Sequence, residues 1–180
     1  MKEVKFILAI VTLIIAFNIR PSSHEINTTP ICSETYVENS ETIDSVIIKE
    51  CFYKNHLFKS VGIPDYKGRY SYEYQIFKIV GTDTTKTKNS NFFKDKTKLI
   101  EELLNKKLKE DYNTDLKYPD LKNCVKQINF RHFNLDEFGV TFMSKDIMAF
   151  HIDYKGVSGA CFNVSGNSVL LHLNSLKVID

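Results

Sequence analysis

Hydrophobic and polar positions alternate within residues 69–80, RYSYEYQIFKIV, where Tyr70, Tyr72, Tyr74 and Ile76 alternate with Ser71, Glu73 and Gln75. A period of two is typical of a β-strand with one buried face. Residues 43–53, IDSVIIKECFY, are rich in β-branched and aromatic side chains and predict another strand. Glycine-containing polar runs at 62–68 and 81–91 predict a turn and a loop.

A helical pattern follows over residues 95–112. Asp95 is a suitable N-cap, and lysines and glutamates occupy the side opposite the apolar stripe. One apolar stripe with a charged back predicts a helix that lies on a sheet. The stripe consists of Leu99, Ile100, Leu103, Leu104, Leu108 and Tyr112.

The C-terminal part contains a series of strand-like runs behind a loop at residues 113–123. Short connections between such runs favour antiparallel neighbours. The predicted order is β-β-α-β-β-β-β, an α+β fold with one amphipathic helix packed on a mainly antiparallel sheet. We expect residues 43–180 to form a single domain. The four runs are 125–133, 137–143, 147–154 and 168–179.

Residues 1–23 predict an export signal, because two lysines precede an apolar run of twelve residues. That run is shorter than the roughly 20 residues of a membrane-spanning helix. No clear cleavage site follows, so a cleaved signal peptide and an uncleaved N-terminal anchor both stay open, and membrane contact is expected only through this segment. We interpret residues 24–42 as a polar arm. The expected location is periplasmic, secreted or N-terminally anchored.

Charge and composition narrow the function classes. With 43% hydrophobic and 26% charged residues, the chain is unlike collagen, a disordered tail or a polytopic membrane protein. Residues 1–23 hold three basic side chains and one acidic one, and the remainder carries equal numbers of each. We therefore expect no nucleic-acid partner.

An even number of cysteines in an exported chain predicts two disulfides. Three pairings are possible, and proximity in sequence favours Cys32–Cys51 and Cys124–Cys161. A zinc site is the rival interpretation, but the chain has no C-x-x-C pair.

Candidate catalytic or metal-binding side chains lie on the predicted C-terminal strands. Three histidines and a nearby aspartate would suit zinc if their strands were neighbours. The sequence GVSGA at 156–160 partly matches a nucleophile elbow, although no helical pattern follows it. The alternative function is therefore a small secreted hydrolase or zinc-dependent enzyme, and no cofactor is predicted. The zinc candidates are His132, His151, His172 and Asp153, and the alternative enzyme would use His132, His151, Asp153 or Ser158.

A tyrosine cluster offers a candidate binding site. Aromatic side chains in strands commonly belong to a core, yet tyrosines beside charged residues also line recognition faces for sugars or proteins. Both interpretations stay open. The candidate binding residues are Tyr66, Arg69, Tyr70, Tyr72, Glu73 and Tyr74.

Residues 95–179 resemble a family of exported bacterial domains. The resemblance rests on the amphipathic helix and on the succession FNL (133–135), EFGVTF (137–142), GAC (159–161) and VLLHLNSL (169–176). The family is the domain of unknown function at the C-terminus of lysozyme-sensing anti-sigma factors and beside peptidoglycan deacetylase domains. This sequence departs from the family at 147–154, where a Tyr-rich, Pro-containing stretch is common, and no functional residue is carried over.

The resemblance implies a small exported binding domain near the cell wall with no chemistry of its own. We accordingly expect a non-enzymatic interaction domain that acts at the cell envelope. Its expected partner is a protein or a cell-wall glycan, with a lysozyme-like hydrolase as the named candidate.

Overall fold

The computed structural model describes residues 29–38, 44–65, 67–128, 130–154 and 167–179. They form an α+β fold with two antiparallel sheets that are separated in sequence by a helical segment, so the predicted fold class is confirmed. The first sheet contains, in spatial order, β1 (Ile31–Val37), β2 (Val46–Tyr53), β3 (His56–Pro64), β4 (Tyr70–Val80) and β5 (Asp83–Thr87). The second contains β6 (Gly139–Phe142), β7 (Ile147–His151), β8 (Ser168–His172) and β9 (Val178–Ile179).

The helical segment, which lies between the two sheets in the sequence, contains α1 (Asn89–Phe93), α2 (Thr97–Asp115) and α3 (Pro119–Val125). On α2, only the centre of the predicted stripe is fully buried: Ile100, Leu104 and Leu108 are 0% exposed, whereas Leu99 is 50% exposed. The long helix is therefore amphipathic, as predicted, but its buried face is narrower than the predicted stripe of six residues.

The core lies between α2, the first sheet and one face of the second sheet. Phe142 on β6 joins the layers, since its ring packs edge-on against Tyr53 and Phe58 of the first sheet. Lys49 on β2 donates a hydrogen bond from Nζ to the carbonyl oxygen of Phe142 at 2.6 Å, which fixes β6 against the first sheet. The inner face of the second sheet supplies Val140, Phe142, Met148, Phe150, Val169 and Leu171.

Several local predictions differ from the structure. Residues 31–37 of the predicted polar arm form β1, and the predicted loop at 81–91 contains β5 and the start of α1. The strand predicted over 125–133 is wrong: Val125 ends the helix that begins at Pro119, and residues 126–128 and 130–133 form turns and irregular backbone. The run 168–179 forms two strands rather than one.

The Cys32–Cys51 disulfide is present and joins directly opposed residues of β1 and β2, with their Cα atoms 4.0 Å apart. Cys124 is also disulfide-bonded. Its predicted partner, Cys161, lies outside the described residues, so that pairing stays a prediction. The predicted export segment, 1–23, lies outside them as well. Across the described ranges, no helix is long and apolar enough to cross a membrane.

Candidate functional site

Three tyrosines of β4 lie on one face of the first sheet, because side chains alternate along a strand. The ring centroids of Tyr70 and Tyr72 are 6.1 Å apart, as are those of Tyr72 and Tyr74. The ring of Tyr74 stacks on His151 of β7 at 4.8 Å with an interplanar angle of 9°. These four rings form a continuous line, the aromatic row, that crosses from one sheet to the other.

Two glycines provide the surfaces on which the tyrosine rings lie. Gly62 on β3 is directly opposite Tyr72, and a Cβ added to Gly62 would lie 2.6 Å from Cε1 of that ring. A Cβ added to Gly139 on β6 would lie 2.0 Å from Cδ2 of Tyr74. Any other residue at either position would displace a ring, so the missing side chains set the geometry of the row.

The tyrosine-bearing face continues to the edge of the first sheet. Tyr36 on β1 is aligned across β2 and β3 with Ile47, Gly62 and Tyr72. The side chains of Tyr36 and Tyr72 are 63% and 47% exposed. We call the face formed by Tyr36, Tyr70, Tyr72 and Tyr74 the tyrosine surface.

Three tyrosines of the tyrosine surface have a pKa above the ordinary value. Burial raises the pKa of Tyr74 to about 12, and it also raises the pKa of Tyr70, whose hydroxyl donates to the carbonyl oxygen of Ser45 at 3.0 Å. A hydrogen bond from the Tyr36 hydroxyl to the Glu34 carboxylate raises the pKa of Tyr36. Burial lowers the pKa of His151, which keeps that imidazole neutral. The hydroxyls of Tyr36, Tyr70 and Tyr74 therefore keep their protons at neutral pH.

Three of the six predicted binding residues lie together on the tyrosine surface. Tyr70, Tyr72 and Tyr74 share it, whereas Glu73 lies opposite Val61 on the other face of the sheet. Arg69 forms an ion pair with Asp65 at 2.5 Å in the turn that precedes β4. Tyr66 lies outside the described residues.

A cleft of about 230 Å³ opens beside Tyr74, between the β4–β5 edge and the start of β6. Asp136 at its rim accepts hydrogen bonds from the backbone nitrogen and the hydroxyl of Ser90, at 2.8 and 2.9 Å. The amide of Asn89 donates to the carbonyl oxygens of Leu135 and Phe138, at 2.7 Å each. These polar groups hold α1 against the chain before β6, so their contacts in this structure are structural.

The candidates for catalysis or metal binding are dispersed. Nε2 of His132 lies 3.0 Å from Oε1 of Glu101, while His151 belongs to the aromatic row and its Nδ1 lies 2.7 Å from the Ser168 hydroxyl. His172 and Asp153 are exposed. Ser158 lies outside the described residues. Among the residues that the structure describes, no group of three or more His, Cys, Asp or Glu side chains is placed to hold a metal ion.

Comparison with known proteins gives no relative: no family model, no curated protein and no solved structure matches the chain.

Proposed function

We propose that the chain is an exported, non-enzymatic interaction protein that binds a protein or a cell-wall glycan through the tyrosine surface. The observation that carries this proposal is the exposure of Tyr36 and Tyr72 on one face, with the half-buried rings of Tyr70 and Tyr74 on either side of Tyr72. The Cys32–Cys51 disulfide is compatible with export, since such bonds persist in oxidising compartments.

Tyrosine surfaces suit recognition for two physical reasons. A tyrosine ring offers a large apolar area with a hydroxyl at its tip, so it contacts apolar and polar ligand groups together. Its side chain has few rotatable bonds, so ordering it on binding costs little conformational entropy. Here the rings of Tyr72 and Tyr74 already lie against Gly62 and Gly139 before any ligand binds, which lowers that entropic cost further.

Two ligand classes fit these features, and the sequence resemblance favours a partner at the cell wall. A sugar ring would place its apolar face on the rings and its hydroxyl groups against the tyrosine hydroxyls. A protein would use the exposed rings as central contacts of an interface. The resemblance to lysozyme-sensing domains makes a lysozyme-like hydrolase the protein to test first.

The proposal is tested by calorimetric titration of the oxidised full chain with lysozyme and, separately, with soluble peptidoglycan fragments. Saturable binding of either ligand is expected. Tyr72→Ala should weaken it at least about tenfold, the effect of losing one central aromatic contact. Tyr118→Ala is the matched control, because Tyr118 is similarly exposed, at 56%, but lies beside α3. Equal affinities for the two variants would contradict the proposed surface.

A further inference from the structure

The β1 strand lies at the edge of the first sheet and outside the core. Within the described residues it pairs with β2 alone, and six of its seven residues are exposed. Its ladder to β2 covers Ile31 to Val37 without a bulge. The disulfide bonds Cys32, near the start of β1, to Cys51, a buried residue of β2. The protein thus holds an exposed strand rigidly in place without burying it.

The geometry of the disulfide shows which backbone groups face outward. In an antiparallel pair, opposed residues about 4.5 Å apart are the pairs without mutual hydrogen bonds, and their N–H and C=O groups point away from the partner strand. Cys32 and Cys51 have a Cα separation of 4.0 Å and belong to this type. By alternation, the backbone groups of Cys32, Glu34 and Tyr36 all point away from β2, toward the free edge.

This edge has few of the usual protections against strand pairing: its one charged side chain, Glu34, repels acidic segments but not basic ones. Natural edge strands are commonly blunted by lysine, proline, a bulge or short length. The sequence of β1, ICSETYV, contains neither lysine nor proline, and seven residues are enough to pair with another extended segment. The charged side chains in residues 29–38 are Glu34 and Glu38, so the strand itself is negatively charged. Glu34 accepts a hydrogen bond from the Tyr36 hydroxyl and lies opposite Lys49, whose Nζ donates to the carbonyl oxygen of Phe142.

We propose that β1 binds an extended basic peptide segment of a partner protein as an added strand. The peptide would pair with the outward backbone groups of Cys32, Glu34 and Tyr36. Its basic side chains would lie on the tyrosine side of the sheet, opposite Glu34. Its apolar side chains would lie on the opposite face of the sheet, next to Ile31 and Val37, the first and last residues of β1.

The negative charge also distinguishes this occupant from a second copy of the chain. Antiparallel self-pairing that uses the whole of β1 would place Glu34 directly opposite Glu34 of the other copy. Like charges directly opposed on neighbouring strands are destabilising. A basic segment instead places a lysine or arginine opposite Glu34, so the repulsion between two glutamates is replaced by an attraction between opposite charges.

The probe is a fluorescein-labelled peptide, Val-Lys-Val-Lys-Val-Lys-Val, titrated with the oxidised full chain and followed by fluorescence anisotropy. The comparison peptide has glutamate in place of each lysine. We expect saturable binding of the lysine peptide and at least about tenfold weaker binding of the glutamate peptide, a difference of about 1.4 kcal/mol. Glu34→Lys should reverse this preference. Glu73→Lys, which changes an exposed glutamate on β4, should leave it unchanged.

Amide hydrogen exchange locates the bound peptide. The amides of Glu34 and Tyr36 should gain protection when the lysine peptide binds, whereas those of Ser33 and Thr35 already pair with β2. Equal binding of both peptides, a preference unaffected by Glu34→Lys, or protection elsewhere would overturn the proposal. Sedimentation as a dimer without peptide binding would assign the edge to a second copy instead.

The β1 site does not depend on the ligand of the tyrosine surface. Tyr72→Ala should abolish or weaken that ligand's binding and leave the lysine peptide bound. Failure of one proposal is therefore separable from failure of the other.

Discussion

Replacement of Gly139 by alanine tests the contact on which the aromatic row depends. The φ angle of Gly139 is outside the left-handed region, so alanine fits its backbone, and the three atoms nearest the added Cβ all belong to the ring of Tyr74. It would lie 2.0 Å from Cδ2 and 2.5 Å from Cγ, at the base of the ring. Those atoms cannot move unless the whole Tyr74 side chain changes its rotamer. The Tyr74 ring must therefore move away from position 139 and lose its stacking on His151.

The magnitude follows from two losses and one gain. Forcing an added carbon into a packed site costs about 1–3 kcal/mol, and a lost aromatic pair costs about 0.5–1.5 kcal/mol. Alanine recovers about 0.4–1 kcal/mol by restricting the unfolded chain. We expect Gly139→Ala to lower the free energy of unfolding by about 0.5–4 kcal/mol. Gly62→Ala should cost less, because its closest contact is with Cε1 at the outer part of the half-exposed Tyr72 ring.

Urea unfolding followed by circular dichroism measures this effect. With a slope of about 1–3 kcal/mol per molar urea, the midpoint of Gly139→Ala should fall by roughly 1 M. A double-mutant cycle with Tyr74→Ala identifies the cause, because removing the ring should remove most of the penalty at Gly139. The account is refuted if Gly139→Ala costs the same with and without the Tyr74 ring.

Three further predictions concern stability. Replacing Cys32 and Cys51 with alanine should lower the free energy of unfolding by about 3 kcal/mol, because the disulfide closes a loop with a sequence separation of 19. Calorimetric melting measures this loss, and an unchanged transition would contradict the prediction. Burial lowers the pKa of His151, so the unfolded chain binds that proton first and stability should fall as pH drops through about 6.5. His151→Phe should flatten the slope of the urea midpoint between about pH 7.5 and 5.5, and an unaltered slope would count against it. Leu104→Ala should cost about 2–5 kcal/mol in urea unfolding, and the exposed Leu99→Ala should cost far less.

Elements with a clear period were predictable from the sequence. Alternation located β4, and the apolar stripe located α2, because in both cases one face packs on the core. The β1 strand was missed because its exposed residues carry no apolar alternation. The β3 strand was missed because it follows a two-residue turn, Lys54 and Asn55, with φ angles of 46° and 58° and without the glycine that usually marks such turns.

The candidate site was predictable only within one strand. The β4 tyrosines were candidates from the sequence, whereas Tyr36, Gly62, Gly139 and the partner role of His151 depend on pairing between distant segments. A glycine inside a strand is the one local signal that marks close approach of another group. At Gly62 the surrounding polar run favours a turn, because no clear alternation marks residues 56–64 as a strand.

The most direct test of the central claim is an NMR-detected titration of the full chain with lysozyme and with soluble peptidoglycan fragments, following backbone amides. The account predicts that one of these ligands shifts the amides of Tyr36, Gly62 and Tyr72, together with their neighbours on the tyrosine surface. The amides of α2 and α3 should stay unchanged. Shifts centred on those helices, or no shift with either ligand at saturating concentration, would contradict a tyrosine surface that binds at the cell wall.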